Sequence, residues 1–184
     1  MKARGHPDSR THPLQQAIEI LNRTEQGRLV GVSPHSRPYV ATWLAQQIAP
    51  RPLLWIVADD AEAEELYHAS KFFLPDPERT GEDPFAARTA LFPLPQLVPY
   101  EEISPDRYLV ADRLSLLARL LEGRPPTLLI TSLSSLMRLN TPREAIRGAC
   151  RLVQRDQEVD RQALLAQLQR SGYLNVPLVE DPGT

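Results

Sequence analysis

The sequence predicts an α/β fold in which a parallel sheet carries helices on both faces. Three observations point there. Leu53-Leu54-Trp55-Ile56-Val57-Ala58 and Thr127-Leu128-Leu129-Ile130-Thr131 are apolar runs without polar alternation, as strands buried on both faces require. Between such runs lie segments with apolar residues at i, i+3, i+4 and i+7, and strands alternating with such helices form parallel sheets. The 18 prolines fall between the periodic segments, where they mark loops and helix starts.

Residues 1–12 are polar and unpatterned and read as a mobile tail. Leu14, Ala17, Ile18 and Leu21 then place a helix between the start signals Thr11 and Pro13 and the stop signal Gly27. Arg28-Leu29-Val30 reads as a short buried strand, Leu29 to Gly31, and Val40, Trp43, Leu44 and Ile48 as the helix after it. The strand Leu53–Val57 leads through Asp59-Asp60 into a helix reaching Phe73, with Glu62, Glu64 and Glu65 near its positive end and Pro75 beyond it. A loop from Asp76 to Pro84 precedes the strand Ala90–Phe92. Ser104-Pro105 opens the longest helix, whose stripe Leu109, Arg113, Leu116, Leu117, Leu120, Leu121 runs to a terminal Gly123. The strand Leu128–Thr131 and a short helix from Ser132 follow. Trp55, Ile56, Leu116, Leu120 and Leu129 are the expected core.

Beyond Asn140 the pattern changes. Thr141-Pro142-Arg143-Glu144 reads as a capping box opening a helix to Gly148. Then come a strand near Arg151-Leu152-Val153, a helix from Asp160 to Arg170 stopped by Gly172, and an extended Tyr173–Val179. This stretch has too little apolar surface for a core of its own. The expected organisation is thus a tail (1–12), a first domain (13–140) and the start of a second (141–184).

The segment Gly31-Val32-Ser33-Pro34-His35-Ser36-Arg37-Pro38 stands where strand, loop and helix would form a phosphate-binding loop. The working pattern Gly-x-x-x-x-Gly-Lys-Ser/Thr cradles phosphates with backbone N–H groups, neutralises them with Lys and holds Mg²⁺ with the hydroxyl. Here Pro34 and Pro38 lack an N–H, Ser36 stands for Gly, Arg37 for Lys and Pro38 for the hydroxyl. The loop reads as a degenerate relic in a fold that no longer hydrolyses nucleotides. The alternatives are an ordinary connection with Pro38 at the first helical position, or a nucleotide-binding enzyme with an unconventional phosphate loop.

Composition sets outer limits. The net charge of −2 gives no global basic field for nucleic acid, and the scarcity of Lys beside Arg reads as background. One cysteine, Cys150, excludes an intramolecular disulfide and any zinc site needing two thiolates. No apolar run approaches a membrane span and the N-terminus lacks a signal-peptide core, so a cytoplasmic protein is expected. Asp59-Asp60 reads as a helix cap rather than a metal pair. His35 beside Ser33 and Ser36 lacks the acidic orienter of a triad, and Glu101, Glu102 and Asp106 around Tyr100 read as a solvated helix start. His6 and His12 lie in the tail with no ligand partners to name. No catalytic residue, metal ligand or cofactor site is expected.

The run Phe92-Pro93-Leu94-Pro95-Gln96-Leu97-Val98-Pro99-Tyr100-Glu101-Glu102-Ile103-Ser104-Pro105, followed by Asp112-Arg113-Leu114, resembles the N-terminal region of bacterial transcription-repair coupling factors (Mfd). Further matches are Ser134-Ser135-Leu136-Met137-Arg138, Leu164-x-x-x-Leu168 leading to Ser171-Gly172-Tyr173, and Val179-Glu180-x-x-Gly183. The resemblance covers residues 14–184. It implies a module similar to the excision-repair protein UvrB: a RecA-like domain with a degenerate Walker loop, then a small α/β domain of the type that docks on UvrA. In such factors a separate motor moves on DNA and displaces stalled RNA polymerase. The resemblance also implies that the turn near Glu180 to Gly183 is followed by aromatic and Arg-rich positions carrying much of the UvrA contact. As the sequence stops at Thr184, weak UvrA binding is expected, with Tyr173, Asn175 and Glu180 the first partner-binding candidates.

Overall fold

The computed structural model describes residues 13–23, 26–76, 87–94, 106–151, 153 and 156–178. The tail 1–12, the run Pro95–Pro105 with Tyr100, Glu101 and Glu102, and Glu180 lie outside them. Three parallel strands, β1 (Leu53–Val57), β2 (Thr89–Phe92) and β3 (Leu128–Ser132), form a sheet in the order β1-β3-β2. Leu53 of β1 and Thr89 of β2 both register with Leu128, so the last strand in sequence is the central one.

Strand alternation sends Leu53, Trp55, Val57, Leu91, Leu128 and Ile130 to one face. There they meet α2 (Arg37–Gln47) and α3 (Asp60–Phe73) through Ala41, Ala45, Ala63, Leu66 and Leu74. The small residues of α2 let that helix come close to its neighbours. On the opposite face α4 (Arg107–Leu121) lies over β2: Arg113 of α4 stacks 3.9 Å above the ring of Phe92. The sheet is therefore helix-bearing on both faces, as the apolar runs predict.

Helix starts follow the capping residues. Asp59 accepts from the Glu62 N–H at 2.8 Å to start α3, and Asp106 accepts from the Tyr108 N–H at 2.8 Å to start α4. Ser132 accepts from the Ser135 N–H at 3.0 Å to start α5 (Leu133–Leu136), and Asp160 does the same for α7 (Arg161–Arg170). The N-terminal helix α1 (Pro13–Arg23) buries Leu14 and touches α2. At α6 (Arg143–Ala149) the expected capping box does not form: Pro142 is the N-cap and no side chain caps the helix. Proline's fixed φ starts that helix without a side-chain acceptor.

Three further expectations fail. No strand forms at Leu29–Gly31; Leu29 and Val30 are exposed, and Gly31 takes φ +81°. A run of three residues with a left-handed glycine at its end offers too few ladder bonds to offset the entropy of ordering it. Arg151 and Val153 are likewise outside any strand, while Leu152 lies outside the described residues. Of the expected core, Leu116 is buried and Trp55 packs against the core cluster, Leu129 is half-buried, but Ile56 is 49% and Leu120 36% exposed. An apolar run shows that both faces of a strand can be buried, not that both are.

Candidate functional site

The loop from Gly31 to Pro38 folds onto itself. Ser33 caps a single 3₁₀ turn, Pro34–Ser36, its Oγ and carbonyl both facing the Ser36 N–H at 3.3 and 3.0 Å. The Ser33 and Ser36 hydroxyls lie 2.8 Å apart, and the Arg37 N–H donates to the Pro34 carbonyl. Two of the loop's N–H groups are thus used inside it, and Pro34 and Pro38 have none to give. Pro38 is buried at the start of α2, the place proline's φ suits best.

The cation of the loop is also engaged. Arg37 forms an ion pair with Glu62 of α3, both side chains about one-third to two-fifths exposed at 43% and 31%. Such a pair contributes up to about 1 kcal/mol, less in salt. The cleft beside it, about 170 Å³, is lined by Pro34, His35, Arg37, Pro38, Glu62, Glu65, Leu66 and Ala69. Glu62, Glu65, Leu66 and Ala69 have the i, i+3, i+4, i+7 spacing of one helix face, so the start of α2 rests across a stripe of α3. The wall facing Arg37 is acidic where a phosphate site would be basic. Small-molecule and cofactor pockets in general run to about 300–1,000 Å³. Among the described residues no group of His, Cys, Asp and Glu is arranged to hold a metal ion.

The remaining candidates do not converge on the loop. Asp59 is consumed as a cap, and Asp60 accepts from the Ser132 hydroxyl at 2.5 Å, tying α3 to the end of β3. Tyr173 is half-exposed; its N–H donates to the Leu168 carbonyl at 3.0 Å, closing the end of α7. It borders a cleft of about 270 Å³ between α4, α6 and α7 that also includes Cys150 and Gln167. Desolvation pushes the Cys150 thiol up. Asn175 is exposed, and Glu180 lies outside the described residues.

Two groups were not anticipated in their roles. Glu62 reads in sequence only as a first-turn acid; the acidic positions of the stripe Glu62, Glu65, Leu66, Ala69 are the signal that something basic crosses it. Arg113 stands in the apolar stripe of α4 and is 8% exposed. Its guanidinium donates to the Pro93 carbonyl at 2.5 Å, the Ser135 hydroxyl at 3.0 Å, the Ser135 carbonyl at 3.3 Å and the Asn140 side-chain oxygen at 2.8 Å. Burial pulls its pKa down from the ordinary guanidinium value, and the carbonyl acceptors compensate. An Arg on an apolar stripe is the sequence signal of such a hub.

No family model matches the chain. Among curated proteins, the transcription-repair-coupling factor of Myxococcus xanthus is 31% identical to it over 172 residues. The match takes in 94% of this chain and 14% of that protein, within its N-terminal region. The chain therefore spans about one-seventh of the length of the relative it matches.

Proposed function

We propose, from the similarity of nearly the whole chain to the N-terminal region of a transcription-repair-coupling factor, that it is the N-terminal, UvrB-like interaction module of such a factor. In this reading residues 13–140 form a RecA-like domain whose nucleotide loop has become structural, and 141–184 begin the domain that meets UvrA. The module recruits UvrA and performs no catalysis, while DNA and RNA polymerase are engaged by the remainder of the longer protein. No cofactor is proposed for this chain.

The observation that carries the non-catalytic reading is the closure of the loop: two N–H groups turned inward, two prolines, and Arg37 held by Glu62. A phosphate would have to break that ion pair and approach past Glu65. Calorimetric titration with ATP and Mg²⁺ is expected to give no binding. Micromolar affinity abolished by Arg37→Ala would establish instead a nucleotide-binding enzyme with an unconventional loop.

UvrA recruitment is tested separately. Interface affinity concentrates in a few aromatic and Arg anchors, and the resemblance puts several of them after Gly183. Residues 1–184 are expected to retain UvrA weakly on a biolayer surface, and a version extended through the rest of the second domain to bind at least roughly a hundredfold tighter. Equal affinity would place the contact within 141–184, with Tyr173, Asn175 and Glu180 the first positions to substitute. Absence of binding by both would defeat the recruitment reading.

A further inference from the structure

Three of the four bonds of Arg113 stay within the sheet-bearing part of the molecule, and one leaves it. Its guanidinium lies 3.9 Å from the Phe92 ring and donates to the Pro93 carbonyl and to both oxygens of Ser135. The fourth bond runs at 2.8 Å to the side-chain oxygen of Asn140. A guanidinium is a planar fork, so a ring on its face and three bonds at its edge fix the direction of the fourth. Asn140 stands at the junction before α6. After it, Thr141 precedes a proline and is biased to extended backbone, and Pro142 is the N-cap of α6 with φ −56°. No glycine lies between Arg124 and Arg147 to supply a hinge. Packing, by contrast, holds this region lightly. Ile146 is the buried residue of α6, which lies on α4; α7 buries none, and a cleft of about 270 Å³ runs between the three helices. The Gln167 side-chain N–H donates to the Gly148 carbonyl at 3.4 Å, so α7 follows α6.

We propose that Arg113 is a positioning residue: through Asn140 it sets the angle at which residues 13–140 hold α6, α7 and the chain that follows. Among the described residues no carboxylate pairs with this buried cation. A charge costly to bury is of use where one arrangement must be selected over others. Without the anchor α6 would rock on Ile146, and a partner that meets α7 and the chain beyond it would bind only the fraction of molecules holding the right angle. Under the module reading, on which this consequence rests, that partner is UvrA. The sheet-bearing part then serves as the platform that aims the docking segment.

Residual dipolar couplings of the backbone amides of residues 1–184 test the orientation. In the unsubstituted chain the couplings of β1, β2 and β3 and those of α6 and α7 are expected to fit one alignment tensor. Asn140→Ala removes the acceptor and is expected to split them, with the couplings of α6 and α7 reduced to roughly half. Asn140→Asp supplies a charged acceptor and is expected to restore the single tensor. Amide exchange in β3 is expected to be the same in all three chains, which separates loss of orientation from loss of fold. A single tensor in Asn140→Ala, or two in the unsubstituted chain, overturns the proposal. So does a fall in β3 protection in Asn140→Ala, which would make the bond a contribution to stability alone. In the natural protein that contains residues 1–184, Asn140→Ala is expected to weaken UvrA capture by roughly tenfold and Asn140→Asp to recover it. Capture unchanged by Asn140→Ala also overturns the positioning role. Failure of the unsubstituted protein to capture UvrA defeats the module reading instead, and the couplings, which need no UvrA, still decide the orientation.

Discussion

Arg113 shows how one residue can hold several elements. Its four hydrogen bonds reach the segment after β2, the short helix α5 and Asn140, and its planar face covers Phe92. Arg113→Met keeps the apolar stem but strands the Ser135 and Pro93 acceptors, and is expected to lower unfolding stability by about 3 kcal/mol. Arg113→Lys keeps the charge without the fork and should recover less than half of that loss. Urea unfolding midpoints of the three proteins decide it; a shift below about 1 kcal/mol for the Met variant would mean that the hub is dispensable. Arg37, by contrast, sits in a half-exposed pair, so Arg37→Ala should cost little stability. The two arginines have the same chemistry and differ in burial, which decides the magnitude.

At the scale of elements, much was legible and the reasons for the misses are physical. Apolar runs mark the strands β1, β2 and β3, caps and periodicity mark α3 and α7, and the apolar stripe marks α4, whose N-cap is Asp106 rather than the expected Ser104-Pro105 start. The run Leu29–Gly31 failed because a strand exists only by pairing, and pairing is a property of the sheet. The ion pair of Arg37 with Glu62 is not legible in the sequence, because spacing does not say where α2 crosses α3. The helix α7 has no buried residue. It owes little to packing and a short helix is marginal alone. Its amides are expected to exchange at least roughly a hundredfold faster than those of β3. Comparable protection in the two elements would show that α7 is held by contacts beyond its cap.

Across the whole molecule, the described residues form a small sheet with its best-packed residues in β3, where Leu128, Ile130, Thr131 and Ser132 are fully buried. Among the described residues no helix is long and apolar enough to cross a membrane. Both outer strands depend on β3 and do not touch each other in the ladder. A polypeptide ending at Pro126 is therefore expected to lose its sheet signal by circular dichroism and to unfold without a cooperative transition. Retention of a sharp melt would show that helices α2, α3 and α4 suffice. The strand order also bears on how the protein is born. A ribosome delivers β1 and then β2 long before the strand that joins them, and elongation runs at about 5–20 residues per second. For several seconds the nascent chain carries two sticky segments with nothing to pair with, which invites chaperone capture. Any transcript broken before the codon for Leu128 yields a product fit only for degradation.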